Sequence, residues 1–152
     1  MNDTYNNIGI SLVGFLSIIR SFDEIEYSKT LLISPILLHN KTVTYLKSQT
    51  TKPKGIEDLI TSKIELFLDF NKRYYSFLEL SLNTIIIAQK MNFIILQNNK
   101  IIPKKEQIDK FDFTNERLGT RAINIIKASE KLSALLKQES TNSLYFILRI
   151  EI

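Results

Sequence analysis

Between Ile56 and Met91 the chain runs 36 residues without a glycine or a proline. A helix-permissive stretch longer than most helices of a small domain points to a mainly α-helical fold, with a break inside the stretch expected near Asn71–Tyr75. In its first half Ile56, Leu59, Ile60, Ile64, Phe67 and Leu68 recur at helical spacing. In its second half Leu78, Leu82, Ile85 and Ile86 form one apolar face, and Phe77, Leu80, Ile87 and Met91 carry it well round the cylinder. A helix apolar nearly all round is buried in a core or shared with a partner. The Phe77–Met91 segment is therefore predicted as the inner scaffold, with its second face or the adjoining hairpin meeting a partner.

The flanking sequence supplies further helices. Ile8, Leu12, Phe15, Leu16 and Ile19 share a helical stripe, introduced by Asn6-Asn7 and ended by the polar stretch Ser21–Glu26. Gly9 and Gly14 weaken that helix or admit a close neighbour. Ser34-Pro35 reads as an N-cap and first helical residue, giving a helix from Pro35 to about Lys47 with Leu38, Thr42, Val43 and Leu46 inward. Gln49–Gly55 is a loop. Phe93–Leu96 and Ile101–Pro103 flank Gln97-Asn98-Asn99-Lys100 as a β-hairpin, since asparagine tolerates the positive φ of tight turns. Lys104–Thr114 reads as irregular. A last long helix is expected over Asn115–Gln138, beginning regularly only after Gly119, with Leu118, Ala122, Ile125, Ile126, Ser129, Leu132 and Leu136 on one stripe. Ser140-Thr141-Asn142 then precedes a short helix, Leu144–Leu148, with a strand as the competing reading. The expected whole is one domain over residues 1–152, a helical bundle with one β-hairpin. Two helices and a hairpin over residues 56–103 also follow the order of a winged helix.

Chemistry is sparse. The chain has no cysteine and one histidine, His39, which has no carboxylate or nucleophile near it in sequence and reads as a hydrogen-bonded helix residue at the core edge. With one imidazole, a metal site would have to be all carboxylate. The acidic groups Asp23-Glu24-Ile25-Glu26 and Glu57-Asp58 read as a loop and a helix first turn. Gly9–Gly14 lacks the Lys-Ser/Thr of a phosphate loop. No enzyme activity and no cofactor are expected. No apolar run approaches the ~20 residues that span a bilayer, and the first residues lack a leader pattern, so a cytoplasmic protein without membrane contact is expected. Net charge is +4, with four basic and four acidic residues in 1–50, seven and five in 51–103, and nine and seven in 104–152. So dispersed a charge predicts weak DNA affinity. Arg117 and Arg121 read as a solvated helix face.

Three segments carry a family resemblance: Tyr5–Gly9 with its helix to Arg20, Leu32–Thr42, and Ala128–Ser133 with Leu144–Ile150. The most specific is a proline, three apolar residues, histidine and a threonine three further on, here Pro35 to Thr42. Together they resemble the middle component of bacterial ABC-three component systems, a group that includes the small subunit of Lamassu-type anti-phage defence. The chain differs where the family has Leu-Gly after the lysine of the last long helix, here Leu132-Ser133, and where it ends Leu-Gly-Val, here Leu148-Arg149-Ile150.

The resemblance implies a non-enzymatic adaptor between an ABC-type ATPase, related to chromosome-maintenance and break-repair ATPases, and an effector, often a nuclease, with DNA reached only through the complex. The partner-interface candidates are the hairpin residues Leu96, Gln97, Asn98, Asn99 and Lys100, whose tip is expected to be little constrained by the core, and the terminal residues Leu144, Tyr145 and Phe146. The alternatives are a winged-helix DNA-binding regulator, which needs a basic recognition face that Phe77–Met91 does not offer, and a small hydrolase.

Overall fold

The computed structural model describes residues 2–152, and the side chains of residues 7–152. Met1, the start of the expected leader-free segment, and the side chains of Tyr5 and Asn6 lie outside the described residues. Helix α1 (Asn2–Ile19) begins earlier than Asn6-Asn7 suggest. It is the inner scaffold: Phe15, Leu16, Ile18 and Ile19 are all buried, together with the small residues Ser11, Gly14 and Ser17. Gly14 is where its neighbours close in. A Cβ there would stand 3.2 Å from Leu37 Cδ1 and 3.3 Å from Ile125 Cγ2, tighter than ordinary contact.

The strand β1 (Ile25–Glu26) follows, within the polar stretch expected only to end the first helix. Then come α2 (Tyr27–Thr30), α3 (Ile33–Leu37) and α4 (Asn40–Lys47). The expected single helix Pro35–Lys47 is therefore two helices, parted at Leu38–His39. Ser34 is not its cap. That side chain lies inside α3, buried, and hydrogen-bonds Ser11 Oγ at 2.7 Å. Leu38, Thr42, Val43 and Leu46 do face the core.

The long stretch without glycine divides into α5 (Ile56–Ser62), the 3-10 turn η1 (Ile64–Leu66), α6 (Phe70–Ser76) and α7 (Leu78–Lys90). The main break thus falls at residues 63–69, before the expected Asn71–Tyr75, which is continuous helix. On either side of that turn Leu59, Leu66, Phe67 and Phe70 all reach the core. Helix α7 buries Ser81, Thr84, Ile85 and Ala88, so it packs on α1 through a mostly small face and is not the innermost element. Thr84 Oγ1 meets Ser11 Oγ at 2.7 Å and donates to the Leu80 carbonyl at 2.7 Å, completing a buried hydroxyl cluster where α1, α3 and α7 cross.

The hairpin is β2 (Ile94–Gln97) and β3 (Lys100–Pro103). Its register pairs Gln97 with Lys100, and Asn98 and Asn99 take φ 51° and 64°, the positive values of a two-residue hairpin turn. The sheet has a third strand. β1 pairs antiparallel with β3, in the order β1-β3-β2. A short helix, α8 (Lys105–Ile108), interrupts the expected irregular segment, and Ile108 anchors it in the core. After the 3-10 turn η2 (Glu116–Leu118), α9 (Thr120–Gln138) starts once Gly119, at φ 92°, has turned the chain. It packs against both α1 and α4. The terminal element α10 (Thr141–Ile147) is a helix, and Ser140 Oγ accepts from the Ser143 amide at 3.1 Å as its N-cap. The fold is mainly α with one small sheet, and its core forms a single cluster.

Candidate protein-binding surface

The turn that breaks the long apolar stretch also creates a groove. Because α5 stops at Ser62, Ile64 and Leu68 no longer follow Ile60 and Phe67 inward. They stand 56% and 74% exposed. With Ile60, Phe67 and Asn71 they line one side of a groove of about 180 Å³, while Ile147, Leu148 and Arg149 line the other. Arg149 is the only charged residue among them. On α10, Phe146 is 84% exposed, an unusual position for a phenylalanine in an otherwise well-packed helix. The chain past α10 is tied to α6: Asn71 Oδ1 accepts from the Glu151 amide at 2.7 Å, and the Tyr75 hydroxyl donates to the Glu151 carbonyl.

The terminal candidates separate cleanly. Leu144 is fully buried and holds α10 on the core. Tyr145 is a clamp. Its hydroxyl donates to the Ser28 carbonyl at 2.6 Å and lies 3.0 Å from the Tyr74 hydroxyl, with the two rings edge to face at 5.6 Å. Burial, reinforced by the Tyr74 hydrogen bond, pushes the phenol well above its ordinary pKa, so it stays protonated. Phe146 alone of the three presents its side chain outward.

The hairpin candidates Leu96, Gln97, Asn98, Asn99 and Lys100 are all exposed. The tip, expected to be little constrained by the core, is held from outside it. The Asn99 carbonyl accepts from the Tyr27 amide at 2.8 Å, and Lys100 pairs with Glu24 at 3.3 Å, so β1 and its flanks brace the turn. Leu96 and Ile95 on β2 add to the exposed apolar residues of α7, Leu82 and Ile86 one turn apart and Met91 just beyond its end. The outer side of α7 carries Glu79 and Lys90 as its only charges, which leaves it without a basic recognition face.

Sequence reasoning missed the groove because it assigned Ile64 and Leu68 to an inward stripe. Nothing along the segment marked them, because six apolar residues spread over 13 fit one face of a continuous helix.

His39 sits at the α3–α4 junction with Nδ1 2.7 Å from Thr42 Oγ1. Burial, with Arg73 nearby, holds its pKa below the ordinary value. Glu57 and Asp58 occupy the first turn of α5, and the Asp58 carboxylate accepts from the Lys54 amide at 2.8 Å. Among the described residues no three His, Asp or Glu side chains converge as a metal site, and no helix is long and apolar enough to cross a membrane.

A family model described as ABC-three component (ABC-3C) system Middle Component 3 matches residues 15–152. No curated protein and no solved structure matches the chain.

Proposed function

Because this chain belongs to the ABC-three component system Middle Component 3 family, and is thereby a component of such a system, we propose that it is a non-catalytic adaptor joining an ABC-type ATPase to an effector, often a nuclease, in an anti-phage or anti-plasmid defence complex of the Lamassu kind. The ATPase would detect invading or damaged DNA, and the adaptor would hold the effector and pass on the state of the ATPase. The observation that carries this reading is the apolar groove between η1 and α10 with Leu68 and Phe146 exposed beside it. A subunit that worked alone would leave such side chains in water without return, whereas exposed apolar patches mark protein contacts. The exposed apolar residues of α7 and β2, Leu82, Ile86 and Leu96 among them, offer further contact surface, as a linker between two partners requires.

The test is co-expression with the ATPase and effector subunits of the same system. Wild type should copurify with both. The pair Leu68→Asp and Phe146→Asp, at sites that bury little, should keep the helical circular dichroism spectrum and lose one partner, while Leu96→Asp probes the further surface. Retention of both partners by folded variants of both surfaces would sink the adaptor reading, as would ATP turnover or DNA cleavage that follows the isolated chain through every column.

A further inference from the structure

No aspartate or glutamate occurs between Glu26 and Glu57, although that stretch holds Lys29, Lys41, Lys47, Lys52 and Lys54. The run spans residues 27–56. Lys29 is used inside the protein, where its ammonium donates to the Leu136 and Glu139 carbonyls at 2.7 Å each and closes the end of α9. The other four lie on α4 and the loop to α5. The fold then brings two more cations to the same side. Lys63 Nζ lies 5.3 Å from the centre of the Tyr45 ring, and it shares a shallow groove with Lys41, Ser48 and Thr51. Lys131 of α9 donates to the Ser48 carbonyl and lines the adjoining groove with Lys52. Ser48 therefore joins the two grooves into one surface.

Along the two grooves the charge is nearly of one sign, and the Asp58 carboxylate sits against the Lys54 amide at the end of the loop. Among the described residues the ion pairs are Arg73–Asp69, Lys100–Glu24 and Lys105–Asp23, which leaves all six lysines without a carboxylate partner. Glu65 is the one acid that lines either groove. The remaining polar groups of the first groove are hydroxyls, from Thr44, Tyr45, Ser48 and Thr51. None of the large exposed apolar side chains lines either groove.

These features separate two kinds of partner. Protein interfaces are depleted in lysine and carry aromatic or apolar residues at their centre. Phosphate backbones are held by lysine ammoniums and by serine, threonine and tyrosine hydroxyls. We propose that the face made by α4, the loop over residues 48–55, Lys63 and Lys131 binds the phosphate backbone of duplex DNA. With no arginine on the face to grip guanine edges, it does so without reading sequence. The eight residues of α4 run about 12 Å. A duplex carries one charge per ~1.7 Å of its axis, so the face meets several phosphates at once. The contact stays in the non-specific range, about 10⁻⁴–10⁻⁶ M at physiological salt, and falls steeply as salt rises.

The test is fluorescence anisotropy of a labelled mixed-sequence duplex with the full chain, from about 50 to 200 mM salt. The triple variant Lys41→Gln, Lys52→Gln, Lys54→Gln removes three exposed lysines of the face. The control Lys72→Gln, Lys90→Gln, Lys110→Gln removes the same charge elsewhere. At about 0.9 per phosphate contact, the plot of log K against log salt should flatten by roughly 2–3 for the first variant and by less than ~1 for the control. If the triple variant loses its helical spectrum, the single variants Lys41→Gln and Lys54→Gln carry the test, each flattening the slope by about 0.9. Equal losses in variant and control would overturn the proposal, as would absence of binding by wild type at the low-salt end. So would a variant that keeps DNA binding but loses an acidic subunit of the complex, which would make the face a protein dock.

Discussion

Arg73 Nε donates to the Pro35 carbonyl at 2.9 Å. In a continuous helix that carbonyl would accept from the His39 amide, but His39 turns instead to the Ile36 carbonyl at 3.4 Å and α3 ends. Arg73 Nη2 also donates to the Leu66 carbonyl at 3.0 Å, at the end of η1. One buried guanidinium thus satisfies the main chain at two helix breaks far apart in sequence, and its own helix runs unbroken through the contact. Burial lowers its pKa and Asp69 opposes the shift, but an arginine stays charged throughout.

Replacing Arg73 by methionine should therefore cost about 3 kcal/mol, because two buried carbonyls lose charged donors. Arg73→Lys, with a single point donor in place of the fork, should fall between methionine and wild type. Urea unfolding measures both. A loss for Arg73→Met below about 1 kcal/mol, the size of one ordinary hydrogen bond, would show that water takes over both carbonyls.

Stability should also respond to His39. Its folded pKa lies below the ordinary 6.5 because burial, and then Arg73, disfavour the imidazolium. As pH falls below about 6.5 the unfolded chain takes up a proton that the folded chain does not, so stability falls until pH drops below the folded pKa. Above about 6.5 His39 contributes no slope. An NMR titration should give a His39 midpoint under 6.5, and His39→Gln should flatten that part of the stability profile. A midpoint above 6.5 would contradict the burial argument.

Arg149 occupies a position shaped for glycine. It takes φ 58° just after α10, the Arg149 amide donates to the Phe146 carbonyl at 3.1 Å, and the Ile150 amide donates to the Tyr145 carbonyl at 3.1 Å. This is the paired closure of a helix by a left-handed residue. Arg149→Gly should raise stability by about 0.5–1 kcal/mol, the left-handed cost relieved less the entropy glycine gains when unfolded. A decrease in thermal midpoint would mean that the Arg149 side chain contributes more than its backbone costs.

What could be read in the sequence was what neighbours along the chain decide. The α9 stripe, the start after Gly119, the Asn98-Asn99 turn and the Ser140 cap each depend on a few adjacent residues, and each appears in the structure. The break inside Pro35–Lys47 and the true place of the break after Ile56 did not show, because their cause is remote. Nothing in Pro35–Lys47 itself forbids one helix, and the residue that rewards the break lies on α6. β1 is two residues long and exists only because β3 offers it an edge. The groove was hidden by the same displaced break, which turned Ile64 and Leu68 from expected core residues into surface ones. The lysine face was hidden because its members are scattered along the chain, with Lys131 far in sequence from Ser48.

The embrace of α1 by α9 fixes when, during synthesis, this chain can become a folded protein. α1 is complete at Ile19, but its covering helix is not finished until Gln138. At ~5–20 residues per second the ribosome leaves Leu16, Ile18 and Ile19 without their lasting neighbours for on the order of ten seconds. Over that interval the nascent chain depends on chaperones or transient collapse to keep its stickiest segment from other chains, and a translational pause before residue 120 prolongs the hazard.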